Sequence, residues 1–168
     1  MPFIKLACFL AFLLALVSVA SAQTTKRVVI EPDERFCLLL PRNWGSDIAS
    51  HLHNSVSYCT SVTSVVRNAR KFDPGFIRTV RYTEGPNLNY TQVTGQFNRD
   101  KFGLSASDHG GQADPAHPRG AQCVGFKYFV QFVEPNEEIY CLRCCHYRRD
   151  CPTNMSGAGC RVVMPGYY

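Results

Sequence analysis

Two adjacent cysteines, Cys144 and Cys145, inside a strand-like run constrain this chain more than any other feature. Successive side chains of a strand point to opposite faces of its sheet, so the pair must tie that sheet to two different neighbours, one per face. A bond between the two themselves would strain the peptide that joins them. Cys141, Cys144, Cys145, Cys151 and Cys160 all fall within the last 28 residues, which predicts a C-terminal tail stapled onto the strand that carries the adjacent pair. Cys37, Cys59 and Cys123 reach back to earlier elements.

The nine cysteines of the 168-residue chain form an odd set, and the N-terminus accounts for the ninth. Lys5 precedes an apolar run from Leu6 to Val19, and Ala20-Ser21-Ala22 closes it with the small residues that signal peptidase accepts. The run is shorter than the ~20 apolar residues of a membrane span. Residues 1–22 are therefore expected to be a cleaved export signal, and 23–168 a single secreted, disulfide-rich domain without a membrane anchor. Cleavage removes Cys8 and leaves eight cysteines, an even set that an oxidising compartment can pair completely. Lys26-Arg27 reads either as a dibasic processing site or as two solvated charges. Asn89-Tyr90-Thr91 and Asn154-Met155-Ser156 are glycosylation sequons, which would place Asn89 and Asn154 on the surface.

Cys141-Leu142-Arg143-Cys144 has redox-motif spacing, and the 141–160 cluster has enough thiols for zinc. A catalytic C-x-x-C wants a helix N-terminus, however, and this one interrupts a strand. Export also favours disulfides over thiolate ligands. The structural reading of all eight cysteines is preferred.

The apolar content, 45%, and the 18% of charged residues exclude a disordered chain. The fold expected is mainly β, an antiparallel disulfide-stapled sheet or sandwich. Val124–Val133 alternates Tyr128, Val130, Phe132 against Phe129, Gln131, Val133, and Glu134-Pro135-Asn136-Glu137 turns it into a partner strand at Glu138–Cys145. Phe76–Thr83 and Asn89–Phe97 suggest a second hairpin, with short strands at Arg27–Ile30, Phe36–Leu40 and Arg161–Met164. Ile48, Leu52, Val56 and Cys59 recur every three or four residues and predict one short helix near 46–58. Residues 105–122 read as a long loop.

That loop carries the chain's best candidate chemistry. Asp108-His109, Asp114 and His117 bring together two imidazoles and two carboxylates, the donors of a metal or acid–base site, at spacings that match no rigid template. A solvated loop is the plainer reading. Glu134, Glu137 and Glu138 read as solvated turn charges. Trp44 could stack on a sugar ring or pack over the core. Arg67, Arg70, Lys71, Arg78 and Arg81 form only a loose basic group, with no nucleic-acid motif. No catalytic residue, cofactor or metal ligand is assigned.

Phe36-Cys37-Leu38-Leu39-Leu40-Pro41, Tyr58-Cys59-Thr60 and Gly75-Phe76-Ile77 resemble segments of a family of small secreted cysteine-rich fungal proteins. The resemblance continues through Gln92-Val93-Thr94-Gly95, Lys101 to Asp108, Tyr140-Cys141-Leu142-Arg143-Cys144-Cys145, Asp150-Cys151-Pro152 and Pro165-Gly166-Tyr167. It implies a secreted fungal protein and carries no catalytic residue or ligand with it. The expectation is an extracellular, non-catalytic wall, surface or effector-like interaction module. Its partner would be a cell-wall polysaccharide or a host surface component, not nucleic acid. The alternative is a small hydrolase, nuclease or glycan-acting, using His109 or His117 with nearby acids.

Overall fold

The computed structural model describes residues 26–61 and 65–168. The expected export signal lies outside those residues. Among the described residues, ten strands form two five-stranded sheets. The first sheet, in the order β4-β3-β2-β1-β8, contains β1 (Arg27–Glu31), β2 (Arg35–Leu40), β3 (Val56–Cys59), β4 (Arg70–Lys71) and β8 (Gln122–Cys123). The second, in the order β5-β6-β10-β9-β7, contains β5 (Arg81–Glu84), β6 (Tyr90–Gln96), β7 (Gly111–Ala113), β9 (Tyr128–Glu134) and β10 (Ile139–Cys145).

Period-two alternation explains how the sheets stack. Val28, Ile30, Phe36, Leu38 and Leu40 of the first sheet share a buried cluster with Val93, Phe129, Val133, Tyr140 and Leu142 of the second. The Phe36 and Tyr140 rings stack across it at 5.2 Å. Val130, Phe132, Ile139 and Cys141 face the other way and are covered by the tail through Val163 and Met164. The aromatic strand β9 is thus sandwiched on both faces, as its low charge requires.

All eight cysteines among these residues are bonded. Cys144, on the inner face, joins Cys123 and so ties β10 to the first sheet. Cys145, on the outer face, joins Cys151, and Cys141 beside it joins Cys160; these two bonds fasten the tail. Cys37–Cys59 links directly paired positions of β2 and β3. The adjacent cysteines therefore bond to separate neighbours on opposite faces, as strand geometry demands. The C-x-x-C cysteines are not bonded to each other.

Several elements differ from the sequence reading. Phe76–Thr83 is strand only from Arg81, where β5 begins, with Ile77 making an isolated bridge to Phe97. Residues 46–58 form no α-helix: Asp47 starts a turn by accepting the Ser50 N–H at 2.9 Å, Leu52–Asn54 adds one 3-10 turn, and Val56 enters β3. Pairing of Cys59 with Cys37 overrides the helical spacing. Arg161–Met164 belongs to a helix, α1 (Gly159–Val163), instead of a strand. The β-branched Val162-Val163 suggested a strand, but Cys160, Val163 and Met164 are the buried positions, a spacing of three and four. Finally, Val124 does not begin β9. Its N–H bonds to Val28 O in the first sheet, and the chain crosses to the second only afterwards. The long loop also contributes two strands, β7 and β8.

Candidate functional site

Trp44 is a large aromatic residue on the surface, 67% exposed. Its loop is tied down where Gly45 N–H donates to Phe102 O at 2.8 Å. The indole rests on Gly103, whose left-handed φ of 65° ends the 3-10 turn Arg99–Phe102. A Cβ at Gly103 would run into the ring, so glycine is required there both for its φ and for the close approach. Both readings open for Trp44, stacking on a sugar ring or packing over the core, fit this placement: one part of the indole packs on Gly103 and the rest is exposed. The indole is a supported flat face turned to solvent.

The loop 105–122 brings the His117 ring to Asp114, Nδ1 to Oδ1 at 4.0 Å, but turns both of its aspartates toward backbone groups. The Asp108 carboxylate accepts Ile48 N–H at 2.9 Å and Gly110 N–H at 2.8 Å, which fastens the 46–50 turn to its own loop. Asp114 accepts Ala116 N–H, His117 N–H and the Gln112 amide at 2.7, 3.1 and 2.7 Å. Both carboxylates are buried and serve backbone groups, while His109 is exposed and the His117 side chain is 77% exposed. No group of three or more metal-ligating side chains occurs among the described residues. His51 and His53, two apart, stack at 6.3 Å because their segment is not α-helical, and His146 stacks on Phe126 at 4.6 Å.

His109 does line an open groove of about 460 Å³ between the β9–β10 turn and the tail, together with Asn136, Glu137 and Arg161. Its floor is Glu134, which is buried, 9% exposed, and not a solvated turn charge. Glu134 Oε1 accepts the Cys160 N–H at 2.9 Å, beside the disulfide that holds α1. Glu137 pairs with Arg161 at 3.2 Å, and Glu138 with Arg78 at 3.0 Å. The burial of Glu134 was legible in principle: it shares a strand face with Val130 and Phe132, and that is the face the tail covers.

Desolvation raises the pKa of Glu134, and Glu137 adds to the rise; the Cys160 N–H and Arg161 oppose it. Asp108 is raised for the same leading reason, with Asp47 contributing, while Asp47 itself is lowered by its bond from Ser50. A carboxyl raised on folding adds stability below its unfolded pKa of about 4.3, and that stability is lost as pH rises through the folded value. Glu134→Gln keeps the acceptor for Cys160 but cannot ionise. The melting temperature of the variant relative to wild type should therefore climb between pH 4 and pH 7. A pH-independent difference would refute the assignment.

Asn154 is exposed, and Asn89 is half-buried at the β5–β6 turn, its carbonyl accepting His146 N–H at 2.9 Å. Among the described residues no helix is long and apolar enough to cross a membrane. Compared with protein-family models, with curated proteins and with solved structures, the chain matches none of them. Fold and bonding define a four-disulfide β-sandwich, a construction that suits an oxidising, extracellular setting.

Proposed function

We propose that this chain is an exported, non-catalytic binding module of fungal type that engages polysaccharide in the cell wall or at a host surface. The observation that carries this reading is Trp44: 67% exposed, yet held in place by Gly103 and the Gly45–Phe102 bond. A rigid indole face loses little entropy on binding and suits the apolar face of a sugar ring. The disulfide frame supports the same reading, since it keeps the module folded where no chaperone acts.

The test is retention of the purified protein on wall polysaccharide fractions and on a glycan array, beside Trp44→Ala. Wild type should be retained, and the variant should bind roughly tenfold more weakly with an unchanged melting temperature. Retention of neither protein on any of these surfaces would end the proposal.

One observation favours the hydrolase alternative, in altered form. Glu134, whose protonation burial favours, lies in the groove that His109 lines, whereas His117 does not line it. Turnover of an RNA, glycan or ester substrate that is lost in Glu134→Gln and His109→Ala would support it. Absence of turnover across such panels would remove the class.

A further inference from the structure

The loose basic group of the sequence separates in the structure, and part of it acquires new members. Arg78 goes to Glu138, and Arg81 lies over the Tyr167 ring at 5.2 Å. Arg67 and Arg70 instead line a small pocket with Lys26 and Arg42, which stand far away in sequence. Among the described residues the pocket's lining contains four cations and no acidic side chain. Arg70 donates to Arg42 O at 2.6 Å and to Tyr58 OH at 2.8 Å, and Lys26 Nζ donates to His53 O at 2.6 Å. Those acceptors hold Lys26 and Arg70 in position and are all uncharged. Burial already pulls the Lys26 ammonium below its usual pKa, a cost that a bound anion would offset.

A second observation points the same way. Ser55 lines this pocket, is 1% exposed, and its Oγ has no hydrogen-bond partner among the described residues. Burying a hydroxyl without a partner is costly, so its retention calls for an acceptor that arrives from outside. The volume, about 190 Å³, lies below the ~300 Å³ at which pockets for whole small molecules begin. It suits one charged group on a larger molecule.

We propose that the pocket formed by Lys26, Arg42, Arg67, Arg70 and Ser55 binds a tetrahedral oxyanion, a sulfate or phosphate ester carried on a glycan. The glycan half rests on the reading of Trp44 given above. Trp44 is two residues from Arg42, so their Cα atoms lie within about 7 Å, and one saccharide could stack on the indole while its ester enters the pocket. Arginine forks and a hydroxyl donor match the oxygens of such an ester.

The experiment measures binding of the full secreted protein to dextran sulfate, phosphorylated dextran, uncharged dextran and a single-stranded DNA oligomer over a salt series. At least one esterified dextran should bind better than uncharged dextran, with salt weakening only the charged interaction; the two esters show which oxyanion is preferred. Arg42→Gln/Arg67→Gln should weaken that binding about tenfold or more, whereas Arg148→Gln/Arg149→Gln, which removes two charges elsewhere, should leave it within about twofold. Ser55→Ala should weaken it roughly threefold or more. Should the Arg67 change lower the melting temperature, Arg42→Gln alone serves, because only the Arg42 carbonyl takes the Arg70 bond. Equal losses from the two double variants, or no preference for either ester, would overturn the pocket. Tighter binding of DNA than of both esters would overturn the glycan assignment. Loss of neutral polysaccharide binding in Trp44→Ala reports separately on the module itself.

Discussion

Replacing Cys123 and Cys144 together by alanine should cost about 3 kcal/mol, the loop-closure value for cysteines 21 residues apart, and lower the melting temperature by roughly 10 °C. This bond is the one that joins the two sheets, through β8 and β10. Its partner on the outer face, Cys145–Cys151, spans only 6 residues and closes a loop within the tail, so its removal should cost about 2 kcal/mol. Thermal denaturation of the two double variants checks the order. The inner bond should matter more. Equal or greater loss from Cys145→Ala/Cys151→Ala would mean that the sheets are held together mainly by their packed faces.

Gln131→Leu is expected to be comparably severe although it removes no covalent bond. The β1–β2 ladder ends at the Val29–Cys37 pair, two residues short of Leu39. Gln131, 1% exposed in β9 of the opposite sheet, takes the place of the missing strand. Its Oε1 accepts the Leu39 N–H at 2.8 Å, and its Nε2 donates to the Leu39 carbonyl at 2.9 Å. Leucine would fill similar space while stranding both backbone groups, at about 1–3 kcal/mol each, or roughly 2–6 kcal/mol together. Gln131→Glu keeps the first bond but sets a carboxylate against the carbonyl, and should be as damaging at neutral pH. Urea unfolding should show a lower midpoint with an unchanged slope, and the Leu39 amide should exchange faster. A Gln131→Leu variant as stable as wild type would show that water replaces the clamp.

Gln131 also marks how far the residues alone could lead. Its place on the face shared by Phe129 and Val133 followed from alternation, but its partner lies 92 residues away on another sheet. The same division runs through the chain. The β9–β10 hairpin, its proline turn and the opposed faces of Cys144 and Cys145 were legible because each depends on neighbours in sequence. Helical spacing at Ile48, Leu52 and Val56 misled because β2 offered a better partner than local hydrogen bonds could. The burial of Glu134 needed the tail to be placed first. The basic pocket needed Lys26 and Arg42 brought beside Arg67 and Arg70, which no spacing encodes. The candidate loop reads differently again: Asp108 and Asp114 close turns within it, while His109 lines a groove with Glu134 that only the tail completes.

As the exported sandwich proposed above, the chain would use all eight bonded cysteines structurally. Mass spectrometry of unreduced peptides from the secreted protein tests this most directly. The expected result is an N-terminus at or beyond Gln23 and four linkages: Cys37–Cys59, Cys123–Cys144, Cys141–Cys160 and Cys145–Cys151. Free thiols at 141–160, a Cys141–Cys144 bond, or retention of Cys8 in the exported chain would contradict it.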